Sequence, residues 1–227
     1  MLTKLPRWVE VGGFWLAATA GAVNAIGLLG FAHQAVSHLT GTTTLLGVAL
    51  VNLDGGAVLH LLVILLSFLA GAALSGALID NAVLRLGRRY SVALLIEAGL
   101  LVLAMWALQH GSSAGHFLAS AACGLQNGMV STYSGAVVRT THVTGLFTDL
   151  GTLLGARLRG HRFHPRQAML YLLLIGGFVS GGMVGAYGFQ QLQFVALLIP
   201  AGTAALLAVV YWIYWHRAAF VAEGRAD

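Results

Sequence analysis

The chain has 227 residues, 58% of them hydrophobic and only 8% charged, with a formal net charge of +5. Soluble domains carry about a quarter charged residues, so a water-soluble globule is excluded and an integral membrane protein is expected. The positive charge does not call for nucleic acid. Lys4 and Arg7 open the chain, Arg85, Arg88 and Arg89 share one loop, Arg157, Arg159, Arg162 and Arg166 another, and Arg217 and Arg225 close it. Basic residues gathered in loops and tails are the signature of cytoplasmic connections.

In chain order, apolar runs long enough to span, about 20 residues each, fall at 11–31, 57–79, 91–108, 115–138, 168–189 and 192–215. They leave no room for a soluble domain, so one transmembrane domain over 1–227 is expected. The start mimics a secretory signal, with Ala18-Thr19-Ala20 as a cleavage site. A repeat runs through that site, and the segment is therefore expected to stay. Cys123 is the single cysteine, which excludes an intrachain disulfide and leaves a small packing residue.

Between the first two runs lies HLTGTTTLLG at 38–47, and its near twin HVTGLFTDLG lies at 142–151. At an offset of 104, His38 matches His142, Thr40 matches Thr144, Gly41 matches Gly145, Thr44 matches Thr148 and Gly47 matches Gly151. At 103, Gly21 matches Gly124 and Asn24 matches Asn127, while the ladder Ala73, Ala77 falls on Gly177, Gly181. The chain thus reads as two related parts, 8–109 and 113–215.

Placing basic loops inside puts both termini in the cytoplasm. The uncharged or acidic stretches at 54–56, 109–115 and 188–191 then lie outside. The two parts come out with opposite orientation, the inverted repeat of many secondary transporters. Were 38–52 a full crossing, the Arg85 loop would land outside. Each Thr-Gly segment is therefore expected to be a broken or re-entrant piece lining one polar cavity, because lipid does not tolerate bare backbone. The competing arrangement has eight full crossings and a parallel repeat, with threonines bonded to their own helix.

Asp149 is the sharpest candidate for ion coupling, since an acid in an apolar helix is costly unless it faces protein or water. Its mate is Leu45. His142 is expected on its face, as a titrating partner. Arg139 matches Ala35 and is a candidate anion-attracting charge, with snorkelling to the interface as the plain alternative. Glu97 interrupts 91–108 and is a candidate proton carrier. Asn24, Asn127, His38, Thr40, Thr144 and Thr148 complete the expected path, as ligand contacts or as interhelical glue. Gly177, Gly181 and Gly185 are spaced for close helix approach. The sequence carries no HExxH, Walker loop or nucleophile elbow.

The run GLQNGMVSTYSGAVVRTTHVTGLFTDLG at 124–151, with GAVNAIGLLGF and SHLTG in the first part, resembles the YoaK family of bacterial membrane proteins, a group of unknown function. In the family pattern the first motif reads more like VDAIGFL and SHMTGN. Here Asn24 stands for that aspartate and Thr42 for the asparagine. The resemblance implies the bacterial inner membrane and supplies no substrate.

The expectation is an all-α integral membrane bundle of two inverted repeats of three spanning helices. Each carries a broken or re-entrant Thr-Gly segment. The expected function is a secondary transporter or permease of a small solute, an anion being favoured by Arg139, with protons coupled through Asp149 and His142. It is expected to be no enzyme, to need no cofactor or metal, and to meet lipid and a small molecule but no nucleic acid; a homo-oligomer is compatible. The rivals are an intramembrane enzyme acting on a lipid or small molecule, and a non-catalytic assembly factor.

Overall fold

A computed structural model describes residues 7–30, 36–79, 88–134 and 139–223. Lys4, Ala35, Arg85 and Arg225 lie outside the described residues, as do the side chains of Arg7 and Arg217. The described residues form helices and turns, with no strand. In order they are α1 (Arg7–Gly30), α2 (Leu39–Val51), α3 (Gly55–Leu78), α4 (Arg88–Gln109), α5 (Ala114–Ser134), α6 (Val143–Leu158), α7 (Pro165–Leu192), a 3-10 turn at Gln193–Leu197, and α8 (Leu198–Glu223).

Four segments are long and apolar enough to cross a membrane: Trp8–Gly30, Gly55–Leu78, Arg88–Gln109 and Pro165–Tyr214, the last taking in α7 and α8. Helices suit lipid because they satisfy every backbone group internally. Large apolar side chains such as Leu59, Leu66, Leu69, Val179 and Met183 stand exposed on these helices. An apolar surface of this extent belongs in a bilayer. The protein is an all-helical membrane protein.

Local signals mark the ends. The Asp54 carboxylate accepts a bond from the Ala57 N–H at 3.0 Å and caps α3. Pro165 opens α7, where its missing N–H costs nothing. Gly111 and Gly160, with φ of 71° and 85°, close α4 and α6.

The long helices meet backbone to backbone. A Cβ on Gly21 would collide with the carbonyl oxygen of Phe178, and one on Gly181 with that of Ala18; Gly177 and Gly185 face the carbonyls of Phe14 and Ala22. These contacts run in the same sense along α1 and α7, so the pair is parallel. The α3–α5 seam repeats them: Gly124 faces the Phe68 carbonyl and Gly71 that of Ala121. This changes the expected register. Gly181 corresponds to Gly71 at an offset of 110, and not to Ala77 at 104, because the path from the start of α6 to the start of α7 is six residues longer than that from α2 to α3.

Two buried clusters fill the interior. One gathers Leu16, Tyr90, Leu94, Met129, Leu146, Leu174 and Leu207, the other Ile26, Val36, Leu101, Leu108, Ala119 and Leu197. Val36 and Ser37, just before α2, are buried, and so is Thr140, just before α6. The Ser120 hydroxyl lies 2.9 Å from the Ile64 carbonyl and 3.3 Å from that of Val36, tying the approach to α2 into the bundle. Both short helices therefore start in the interior. α2 has 13 residues, about 20 Å at 1.5 Å per residue, too short for a hydrocarbon core of about 30 Å.

Candidate functional site

The duplicated motif builds the same corner twice. His38 and His142 stand at the N-cap positions of α2 and α6, and their carbonyls accept the first helical bonds from Thr42 N at 3.1 Å and Leu146 N at 3.2 Å. Neither imidazole caps its helix. Each ring instead folds over the glycine three residues on: a Cβ at Gly41 would come to 2.5 Å from His38 Cδ2, and one at Gly145 to 2.8 Å from His142 Nδ1. The glycines therefore seat the rings and do not break the helices. α2 and α6 are continuous through Thr40-Gly41 and Thr144-Gly145, and the interruption expected at these pairs precedes the histidines. The threonine hydroxyls are satisfied within the helices, since Thr44 and Thr148 donate to the carbonyls of Thr40 and Thr144 at 2.9 and 3.0 Å. The first N–H groups of each helix have no carbonyl one turn back to receive them.

Behind each histidine sits an amide clamp. Asn24 Oδ1 accepts from the Ser37 hydroxyl at 2.8 Å and its N–H at 3.4 Å, while Asn127 Oδ1 accepts from the Thr141 hydroxyl at 3.1 Å. Because the Ser37 N–H can only donate, the Asn24 oxygen is fixed toward it. The –NH₂ end of each carboxamide remains for other partners.

The two corners share one cavity of about 450 Å³, lined by Asn24, Ser37, His38, Leu39, Thr40 and Phe68 together with Asn127, Thr141, His142, Val143, Thr144 and Phe178. No carboxylate lines it. Arg139 Nη1 lies 3.3 Å from His142 Nδ1. A guanidinium only donates, so Nδ1 accepts and the His142 proton is assigned to Nε2. The polar lining thus offers amide N–H and imidazole N–H donors beside hydroxyl and amide oxygens, aided by the partial positive charge of two helix N-termini.

Of the expected residues, Asn24, Asn127, His38, His142, Thr40 and Thr144 converge here, and Arg139 adjoins them through His142. Thr148 lies one turn outward, its hydroxyl bonded to Thr144. Asp149 is exposed on α6, outside the lining, and among the described residues no ion pair joins it to Arg139. Seven-residue spacing does not align it with His142, because His142 precedes the helix and its ring turns back over Gly145. Glu97 is buried in α4 away from this lining, and its Oε2 has no hydrogen-bond partner.

Ser37 and Thr141 were not expected, although a hydroxyl residue before each histidine is visible in the alignment. Gln126 was missed as well: it is buried and donates to the Leu16 carbonyl at 2.6 Å, joining α5 to α1. Among the described residues no group of three or more His, Cys, Asp or Glu forms a metal centre. Cys123 is buried and in no disulfide.

No curated protein and no solved structure matches the chain. A family model described as a protein of unknown function (DUF1275) matches residues 12–210. With nearly the whole helical bundle inside that match, the chain belongs to the DUF1275 family.

Proposed function

We propose that the protein is a secondary transporter or permease that passes a small anionic solute through the cavity between α2 and α6, and that it performs no chemistry on that solute. One observation carries this reading: two equivalent corners, each an Asn clamp, a histidine and a helix N-terminus, open onto a single cavity that no carboxylate lines. A volume of about 450 Å³ suits a small molecule better than a bare ion. Helix N-termini that stop inside a bilayer are a recurrent way of holding anionic groups.

The inverted repeat belongs to the same proposal. α1 with α7 and α5 with α3 make equivalent parallel seams, and contacts such as Gly115 against Leu108 set α4 antiparallel to α5. Trp8 against Tyr211 and Tyr214, with Gly30 against Phe194, sets α1 antiparallel to the α8 segment. Leu94 shares one buried cluster with Leu207 and Leu101 shares the other with Ala201, which favours the same relation for α4 and α8. Following these pairs around the bundle leaves α1 and α5 pointing in opposite directions, with α2 and α6 re-entrant from opposite faces. In this arrangement the termini are cytoplasmic by the distribution of arginines.

His142, held by Arg139, is the cavity residue of the proposed proton-coupling pair. Asp149, exposed on α6 outside the lining, does not touch solute. The test is uptake by proteoliposomes of a panel of small carboxylates and oxyanions, with and without a pH gradient. Uptake that is lost in Asn127→Ala and His142→Ala, with folded protein retained, supports the proposal. Uptake of no panel member, or uptake indifferent to both substitutions, rejects it.

A further inference from the structure

Away from the central cavity, where α3 and α5 both begin, two histidines from different parts of the chain face each other. His116 Nδ1 and His60 Nε2 are 3.2 Å apart, and the rings meet nearly edge-on, with centroids 5.1 Å apart and planes at 83°. Phe117 packs at 5.3 Å against the His60 ring and limits its swing. Neither ring has a counterpart at the equivalent place in the α1–α7 seam, where positions offset by 110 and 103 hold Leu170 and Gly13. The pair is thus an addition to the symmetric framework.

We propose that His60 and His116 form a binding site for a divalent transition-metal ion of the zinc, copper or nickel class. Imidazole nitrogen is a favoured ligand for these ions. Two nitrogens each about 2.0–2.1 Å from one tetrahedral ion stand about 3.3 Å apart, which is the separation already present. In the metal-free pair one ring donates its proton to the other. Binding moves that proton to the donor ring's remaining nitrogen, so that both facing lone pairs converge on the ion after a small rotation of the rings. Two imidazolium ions cannot stand this close, which keeps a lone pair available near neutral pH.

The Asp54 carboxylate at the same end of α3 is engaged by the Ala57 N–H, and no third His, Cys, Asp or Glu joins the pair among the described residues. Water completes the coordination, and micromolar affinity is expected. The bound ion joins α3 to α5 at the edge of their glycine seam. This inference does not depend on the transport proposal.

The experiment uses tag-free purified protein titrated with Zn²⁺ in a thermal-unfolding assay, and with Cu²⁺ in electron paramagnetic resonance. The expected result is a saturable rise in melting temperature and a copper signal showing two nitrogen ligands. Both should weaken at least about tenfold in His60→Ala and in His116→Ala, while His110→Ala leaves them unchanged. His60→Gln and His116→Gln serve where an alanine variant fails to fold. Absence of the shift in the folded parent protein, or binding that survives either single substitution, overturns the proposal.

Discussion

The seam between α1 and α7 and the seam between α3 and α5 are built alike at the centre and differently at the rim. In both, glycine is pressed against a carbonyl: Gly21 and Gly181 in one, Gly124 and Gly71 in the other. At the rim, α1 and α7 are joined by an ion pair between Glu10 Oε1 and Arg166 Nε at 2.8 Å, whereas α3 and α5 carry the His60–His116 pair. The glycines are fixed by backbone approach, which allows no alternative residue. The rim is fixed only by proximity, so one seam holds a permanently charged guanidinium and the other a pair of imidazole rings.

The largest expected effect tests whether the centres are equivalent. Gly181→Val and Gly71→Val each drive a side chain into main chain that has nowhere to go, and each is expected to cost more than about 3 kcal/mol. Fluorescence-detected size exclusion and thermal melts would read this; tolerance of one and not the other would show that the seams differ.

Next come the clamps. Asn24→Ala and Asn127→Ala should each lower solute uptake about tenfold, the loss of one hydrogen bond to a charged group, with a fall in melting temperature as the Ser37 and Thr141 hydroxyls lose their acceptor. A smaller, severalfold loss of uptake is expected for Gly41→Ala and Gly145→Ala, which unseat the histidine rings. Gly47→Ala and Gly151→Ala should raise stability by up to about 1 kcal/mol, since a Cβ there meets nothing within 4 Å and alanine is the better helix former.

Arg139→Ala should raise the half-saturating solute concentration about threefold at low salt and less at high salt, as screening removes its attraction. Smallest of all, Glu10→Gln should cost less than about 1 kcal/mol, because its partner Arg166 is well exposed.

The twin motifs made the architecture legible, since His38 and His142 with their following glycines occupy equivalent corners of one cavity. Two things escaped. An alignment carried at a fixed offset mispaired Ala77 with Gly181, because six extra residues fall between the start of α6 and the start of α7 and do not disturb the motif itself. Asp149 was read as a cavity residue because its charge in an apolar stretch announces a cost. The cost does not say where the side chain points. Only the start of the helix sets that direction: five residues past Thr144, at about 100° each, α6 has turned Asp149 well away from the lining. Gln126, one residue before Asn127, was overlooked for the converse reason. It is buried against the Leu16 carbonyl, and neutral side chains that serve backbone groups of another helix leave no periodic trace.

The pairing of helices across the molecule also decides how it can be made. Among the described residues, the close backbone approaches of α1 are to α7, α8, α5 and the turn before α8, and none is to α2, α3 or α4. A ribosome that has finished the first part has therefore delivered a helix whose glycine groove stays vacant in the bilayer until α7 emerges well over a hundred residues later. Neither part can mature as an independent protein, and expression of one without the other should yield material cleared by proteolysis. The duplicated parts are now knotted by contact into a single obligate unit.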